Sequence, residues 1–122
     1  MTELRKTITV KKVIDRILVR MEVRETARNL KLNLQEQARI SMAAYNVVSS
    51  MDMGISCEGV VLFIQVTDGK REGLQVVCSS NKINNNRITS NLFDDTSWLV
   101  DEMNVENITP DGARVSVTIW AS

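Results

Sequence analysis

The sequence predicts an α/β (α+β) two-layer sandwich, with helices packed on one face of a mostly antiparallel β-sheet. Two segments with helical periodicity follow each other in the first half of the chain. Two pairs of apolar segments in the second half, each pair joined by a short turn-forming segment, predict two β-hairpins. The 122 residues suffice for one core but not for two, so we expect a single domain over residues 1–122.

The first half reads as one strand followed by two helices. Lys6–Val10 alternates polar and apolar residues, which is typical of a short strand. Asp15 is expected to be the N-cap of the first helix. Apolar residues of this helix fall largely on one face, opposite the charges: Ile17, Leu18, Met21, Ala27 and Leu30. Asn33 is predicted to cap a second helix, from about Gln35 to Met51, which Gly54 ends.

The second half reads as two hairpins around an irregular segment. Gly59–Thr67 is predicted to be a buried strand, and Leu74–Cys78 its hairpin partner. Ser79–Ser97 is polar and rich in asparagine, so we expect mostly loop, with a short helical turn around Ile88–Phe93. Three elements complete the prediction: a helical segment at Trp98–Met103 and a final hairpin formed by Val105–Thr109 and Arg114–Trp120, which flank Pro110-Asp111-Gly112.

Composition excludes several classes of protein. The 15 basic and 15 acidic residues cancel, which argues against a protein that coats polyanions. Without histidine the chain has no Ser-His or Cys-His nucleophile, no histidine metal site and no imidazole switch. Cys57 and Cys78 are expected to be reduced core thiols, with a regulatory disulfide as the alternative. The longest apolar run, Val60–Ile64, is far shorter than a membrane span, so we expect a cytoplasmic protein.

One family resemblance covers most of the chain, from about Asp15 to Trp120. The segment Asn33–Met51, NLQEQARISMAAYNVVSSM, resembles the second helix of the anti-sigma-factor and switch-protein serine kinases. These are small members of the GHKL ATPase superfamily. Further similar stretches follow at Gly73–Ser80, Leu99–Asn107 and Val115–Trp120. The sequence is most similar to the stressosome branch, whose kinases bind and phosphorylate STAS-type scaffold domains.

The resemblance implies a site for ATP and Mg²⁺, but its motifs are replaced here. The family's helix carries Glu-x-x-x-Asn, where the Glu acts on the attacking group and the Asn ligates Mg²⁺. These positions fall on Asn46 and Ser50. Asn46 cannot take a proton, and Ser50 is at best a weak magnesium ligand.

Two further motifs of the nucleotide site are also missing. The family's Asp-x-Gly-x-Gly, which holds adenine and lets the backbone turn beneath the nucleotide, falls on Ser80, Lys82 and Asn84. No glycine lies between Asn85 and Ser97, where the family has a glycine-rich lid over the phosphates. We therefore expect the fold without its ATPase chemistry, with no cofactor, no metal and no catalytic residue.

The resemblance and the lost motifs together predict a pseudokinase. It would be an anti-sigma regulatory factor-like domain that acts by protein–protein interaction in a partner-switching pathway. The expected partner is a STAS-type antagonist, a phosphatase regulator or a sigma factor, without nucleic acid or membrane, and a homodimer stays open. Two alternatives also stay open: an active serine/threonine kinase of the same family that phosphorylates a STAS-domain antagonist, and a small-molecule sensor that uses the vacated pocket.

Four arginines of the first helix are the candidate partner-binding residues. They are spaced by four, so on a helix they form one positive row: Arg16, Arg20, Arg24 and Arg28. Residues 1–39 hold ten basic and five acidic residues, a net charge of +5, while residues 40–122 hold the opposite balance. The row is interpreted either as a docking face for an acidic partner or as a solvated helix face.

Overall fold

The strands form one five-stranded antiparallel sheet with the order β1-β2-β3-β5-β4. The computed structural model describes residues 2–80, 92–109 and 112–122. The elements of these residues are, in chain order, β1 (Thr2–Val10), α1 (Ile14–Asn29), α2 (Leu34–Ser50), β2 (Gly59–Thr67), β3 (Glu72–Ser80), α3 (Asp94–Ser97), β4 (Glu102–Thr109) and β5 (Gly112–Trp120). Both predicted hairpins are confirmed, and the bounds predicted for β2 agree with the structure.

The core lies between one face of the sheet and the helices α1 and α2. Alternate residues of the central strands point to this face, because successive side chains of a strand alternate. Val61, Cys78 and Val115 are register partners across three neighbouring strands, and all are fully buried. The helix α1 lies over β1 and β2, and α2 lies over β3 and β5. The predicted α+β architecture, with helices on an antiparallel sheet, is therefore confirmed.

Asn33 caps α2 as predicted, through a complete capping box. Its Oδ1 accepts the amide of Glu36 at 2.8 Å, and Glu36 Oε1 accepts the amide of Asn33 at 2.8 Å. The second carboxylate oxygen of Glu36 accepts the amide of Ser122, also at 2.8 Å. Glu36 therefore joins the start of α2 to the last residue of the chain.

The prediction that Asp15 caps α1 is wrong. Val13 occupies the N-cap without a side-chain hydrogen bond, and Asp15 lies in the first turn. The Asp15 carboxylate instead accepts the amides of Lys11 and Lys12, each at 2.9 Å. These two hydrogen bonds lower the pKa of Asp15 below its ordinary value. The Asp15 side chain thus holds the backbone of the segment that leads from β1 into α1.

Both long helices end in the same backbone motif, which the sequence did not signal. Beyond α2, Met53 donates to the carbonyl of Val48 and Asp52 donates to that of Ser49, which is the Schellman pattern. Asp52 takes the required left-handed conformation, with φ of 59°. The prediction that Gly54 ends this helix is therefore wrong. The helix α1 ends in the same way, with Lys31 in the left-handed position.

The predicted core face of α1 is also wrong for most of its residues. Ile17, Leu18 and Met21 are exposed, whereas Ala27 is buried as expected. Leu30 is partly buried and packs against the core. The residues of α1 that face the core are Arg16, Val19, Val23 and Ala27. The helix is therefore rotated so that its larger apolar side chains point to solvent.

The region between the two hairpins also differs from the prediction. Ser79 and Ser80, expected to be loop, belong to β3. Trp98–Met103 is not helical: α3 ends at Ser97, and β4 already begins at Glu102. Residues 81–91 and 110–111 lie outside the described residues, and with them most of the expected helical turn at Ile88–Phe93 and part of the turn Pro110-Asp111-Gly112.

We predict that Glu36→Gln lowers the free energy of unfolding by about 1–2 kcal/mol at pH 7, because a glutamine cannot accept both amides. Burial raises the pKa of Glu36, but the hydrogen bonds from Asn33 and Ser122 outweigh it and hold the pKa below its ordinary value. The carboxylate therefore stabilises the fold above its unfolded pKa of about 4.3 and loses this contribution as the pH falls. Urea denaturation from about pH 7 to pH 3 measures the difference.

The difference in the free energy of unfolding between Glu36→Gln and the unmodified chain should become smaller as the pH falls, since a protonated Glu36 resembles glutamine. Glu3→Gln is the control, because the Glu3 side chain is largely exposed. A pH-independent difference for Glu36→Gln would contradict this account of the capping box.

Candidate functional site

Ser80 lies at the end of β3, where the resemblance places the adenine-binding aspartate. It is buried, and its hydroxyl donates to the backbone carbonyl of Glu58 at 2.7 Å. This hydrogen bond ties the end of β3 to the residue before β2. Ser80 therefore has a structural contact in the position of the family's ligand-binding carboxylate. Lys82 and Asn84, the other two positions of this motif, lie outside the described residues.

Asn46 and Ser50 lie one turn apart on α2 and are half-buried. A carboxylate at the first of these positions would have to accept a proton or orient the attacking group in phosphoryl transfer. The amide of Asn46 can donate and accept hydrogen bonds but cannot act as a base. Between Glu36 and Asp52 the sequence of α2 contains no aspartate or glutamate at all.

A cleft of about 520 Å³ opens beside Ser80 at one end of the sheet. Hydroxyl and apolar groups line most of it, together with one lysine and one glutamate. Its lining residues are Thr9, Lys11, Ile55, Ser56, Cys57, Glu58, Gly59, Val60, Ser79 and Ser80. Asn46 and Ser50 are not among them, so this cleft does not unite the positions that the resemblance assigns to one nucleotide site.

The four candidate arginines do not form one surface row. Arg16 is buried, and its Nε donates to the backbone carbonyl of Met53 at 2.7 Å. Its terminal nitrogen lies 3.4 Å from Asp52 Oδ1. Arg16 is therefore engaged within the chain and does not share the exposed surface of the other three arginines. This side chain joins α1 to the segment between α2 and β2.

The other three arginines are exposed and differ in their neighbours. Arg20 lies over the ring of Tyr45, with its guanidinium carbon 5.8 Å from the ring centroid. Arg28 pairs with Glu25 at 2.5 Å. Among the described residues, no carboxylate lies within ion-pair distance of Arg24. Residues spaced by four lie about 40° further around a helix at each step. The four arginines therefore run from the core side of α1 toward its outer side.

The outer face of α1 is a functional candidate that the sequence reasoning missed. Four apolar side chains lie there, and their exposed fractions are 62% for Ile14, 48% for Ile17, 43% for Leu18 and 64% for Met21. Their spacing of i, i+3, i+4 and i+7 puts them on one stripe. We call these four side chains the α1 ridge. The sequence did contain a signal for this face: α1 has a second set of apolar residues, Val19, Val23 and Ala27, which could fill the core instead.

No family model matches the chain, and no curated protein sequence matches it. Among the residues that the structure describes, no three metal-binding side chains of the His, Cys, Asp or Glu type lie together. None of the helices in the described ranges is both long and apolar enough to cross a membrane.

We predict that Arg16→Ala lowers the free energy of unfolding by about 2–3 kcal/mol, because it leaves the Met53 carbonyl and the Asp52 carboxylate without this donor. Arg24→Ala is the matched control on the same helix and should change stability by less than about 0.5 kcal/mol. Arg16→Lys should recover part of the loss. Chemical denaturation measures all three, and equal effects of Arg16→Ala and Arg24→Ala would contradict the structural role of Arg16.

Proposed function

We propose that this chain is a degenerate member of the anti-sigma-factor and switch-protein kinase family, with the GHKL fold but without ATP binding. It would act in the cytoplasm by binding protein in a partner-switching pathway. The observation that carries the proposal is the chemistry of α2, which has no carboxylate from Gln37 to Met51, where the family's kinases place their catalytic glutamate. The helix retains the sequence resemblance while lacking the group that the reaction requires.

The architecture supports the GHKL part of the proposal. Two long helices lie side by side on one face of an antiparallel sheet, and the order of elements follows the expected one. The end of β3, which would carry the adenine-binding aspartate, carries Ser80 instead. Its hydroxyl is hydrogen-bonded to the Glu58 carbonyl, which favours a structural over a ligand-binding role.

A chain that lacks the phosphoryl-transfer groups would act by binding a protein partner rather than by catalysis. A STAS-type antagonist, a phosphatase regulator or a sigma factor would be recognised by the protein's surface. A degenerate kinase can still regulate in this way, because sequestering a partner requires complementary surfaces and no chemical step.

We predict that calorimetric titration with ATP or ADP in the presence of Mg²⁺ detects no binding at micromolar nucleotide. Thermal unfolding gives an independent readout, because a ligand at 100 times its Kd stabilises a protein by about 2.7 kcal/mol. Millimolar nucleotide should therefore leave the Tm unchanged.

Micromolar affinity in either experiment would contradict the loss of nucleotide binding. Transfer of the γ-phosphoryl group from labelled ATP to a purified STAS domain would go further and establish the active-kinase alternative. An active kinase of the same family, titrated under the same conditions, serves as the positive control.

A further inference from the structure

The α1 ridge is an apolar stripe that no other part of the described chain covers. It runs over the eight residues from Ile14 to Met21, about 10 Å of helix, on the side opposite Val19 and Val23. An amphipathic partner segment can bind such a stripe by placing its own apolar side chains between the ridge residues. The ridge alone does not specify the partner, but the charges around it do.

Positive charges lie at both ends of the ridge. Lys11 and Lys12 precede the helix, and Arg24 lies three residues after Met21. All three are exposed, and within the described residues no carboxylate forms an ion pair with their side chains. A bound segment would therefore meet an excess of one positive charge at each end of its apolar contacts, with Lys11 and Lys12 against Asp15 at one end and Arg24 and Arg28 against Glu25 at the other.

The acidic residues of α1 are already engaged. Asp15 accepts the backbone amides of Lys11 and Lys12. Glu22 accepts a hydrogen bond from Lys6 at 2.7 Å, and Glu25 pairs with Arg28. The negative charges of this helix thus have partners within the chain. Asp15 also attracts the Lys11 and Lys12 side chains, so these two lysines exceed it by one positive charge, whereas Arg24 has no ion pair among the described residues.

The same charges argue against a second copy of the chain as the occupant. An antiparallel pairing of two ridges about a twofold axis places Lys11 and Lys12 of one copy near Arg24 of the other, and like charges repel. Pairing through the edge of β1 is also hindered, because that strand has an irregular register between Leu4 and Lys6 and carries the charged Arg5 at this point.

We infer that the outer face of α1 docks an amphipathic segment of a protein partner that carries carboxylates at both ends of its apolar stripe. This inference rests on the proposed function and specifies the chemistry of its partner. Ile14, Ile17, Leu18 and Met21 provide the apolar contacts. Lys11, Lys12 and Arg24 provide electrostatic selection for acidic flanks.

The test uses two labelled synthetic peptides of about 18 residues, long enough to cover the ridge and both flanks. Both carry leucines at i, i+3, i+4 and i+7. One has Asp and Glu at each end, and the other has Lys in the same places. Fluorescence anisotropy with the full chain should show binding of the acidic peptide only, weakening as NaCl is raised.

Variants of the ridge and of its flanks separate the two contributions. Ile17→Ala with Met21→Ala should weaken binding of the acidic peptide about tenfold or more, and Arg24→Glu by a similar factor. Leu34→Ala and Lys70→Glu are the matched controls, because both side chains are exposed and belong neither to the ridge nor to its flanks, and they should change the affinity less than about twofold. Unchanged thermal unfolding would show that each variant is folded.

Three results would overturn the inference: no binding of the acidic peptide, equal binding of both peptides, or equal losses in the ridge variants and the controls. Concentration-dependent dimerisation in sedimentation, abolished by Ile17→Asp, would assign the ridge to a second copy instead. If the peptide test fails and the chain also does not bind ATP, only the docking surface is overturned and the proposed function stands. Micromolar ATP binding would overturn the proposed function whatever the peptides do.

Discussion

The contact of Arg16 with the segment after α2 determines how α1 faces the rest of the molecule. The guanidinium donates to the Met53 carbonyl and approaches Asp52, so the first turn of α1 is fixed to the end of α2. Burying a charged group is costly unless it is paired and hydrogen-bonded, and both partners are supplied here. With Arg16 on the inner side, Val19, Val23 and Ala27 must also face the core. The α1 ridge then faces outward.

This arrangement also joins the start of α1 to the end of α2. Asp52 adopts its left-handed conformation because it terminates α2 in a Schellman motif, and that motif brings Met53 within reach of Arg16. Gly54 follows, and a side chain at this position would collide with the backbone of Lys12. The entry of α1 and the exit of α2 are therefore packed against each other. The cleft near Ser80 and the outer face of α1 both depend on this junction.

The sequence predicted the sheet and the capping of α2 well, because both depend on local patterns. The continuous apolar run of β2, its hairpin turn and the Asn33-x-x-Glu36 capping box each carry their own signal. The orientation of α1 could not be predicted in this way. Its two faces are both apolar, and the choice between them depends on a buried arginine whose partners lie some 37 residues away. Counting Arg16 as a surface charge led to the wrong face.

The candidate site was predictable to a smaller extent. The sequence placed Ser80 in a loop after the first hairpin, whereas β3 extends through it, and its hydrogen bond to Glu58 depends on tertiary structure. The spacing of the arginines suggested one row on the surface of α1. Arg16 is buried, however, and each later arginine lies about 40° further around the helix, so the four do not share one face. The absence of an acidic group from the middle of α2 is a property of the sequence itself. It therefore supports the proposed loss of catalysis without reference to any structural detail.

The rotation of α1 is tested most directly by the oxidation rates of individual methionines. The folded protein is treated with dilute hydrogen peroxide, and the oxidation of each methionine is then measured by peptide mass spectrometry. The account predicts that Met21 oxidises rapidly, at a rate close to that in denaturant. Met51 and Met53, fully buried beside Arg16 and its partners, should be strongly protected. Protection of Met21 to the level of Met51 would place the ridge in the core or an interface. It would contradict the orientation on which both the role of Arg16 and the docking surface depend.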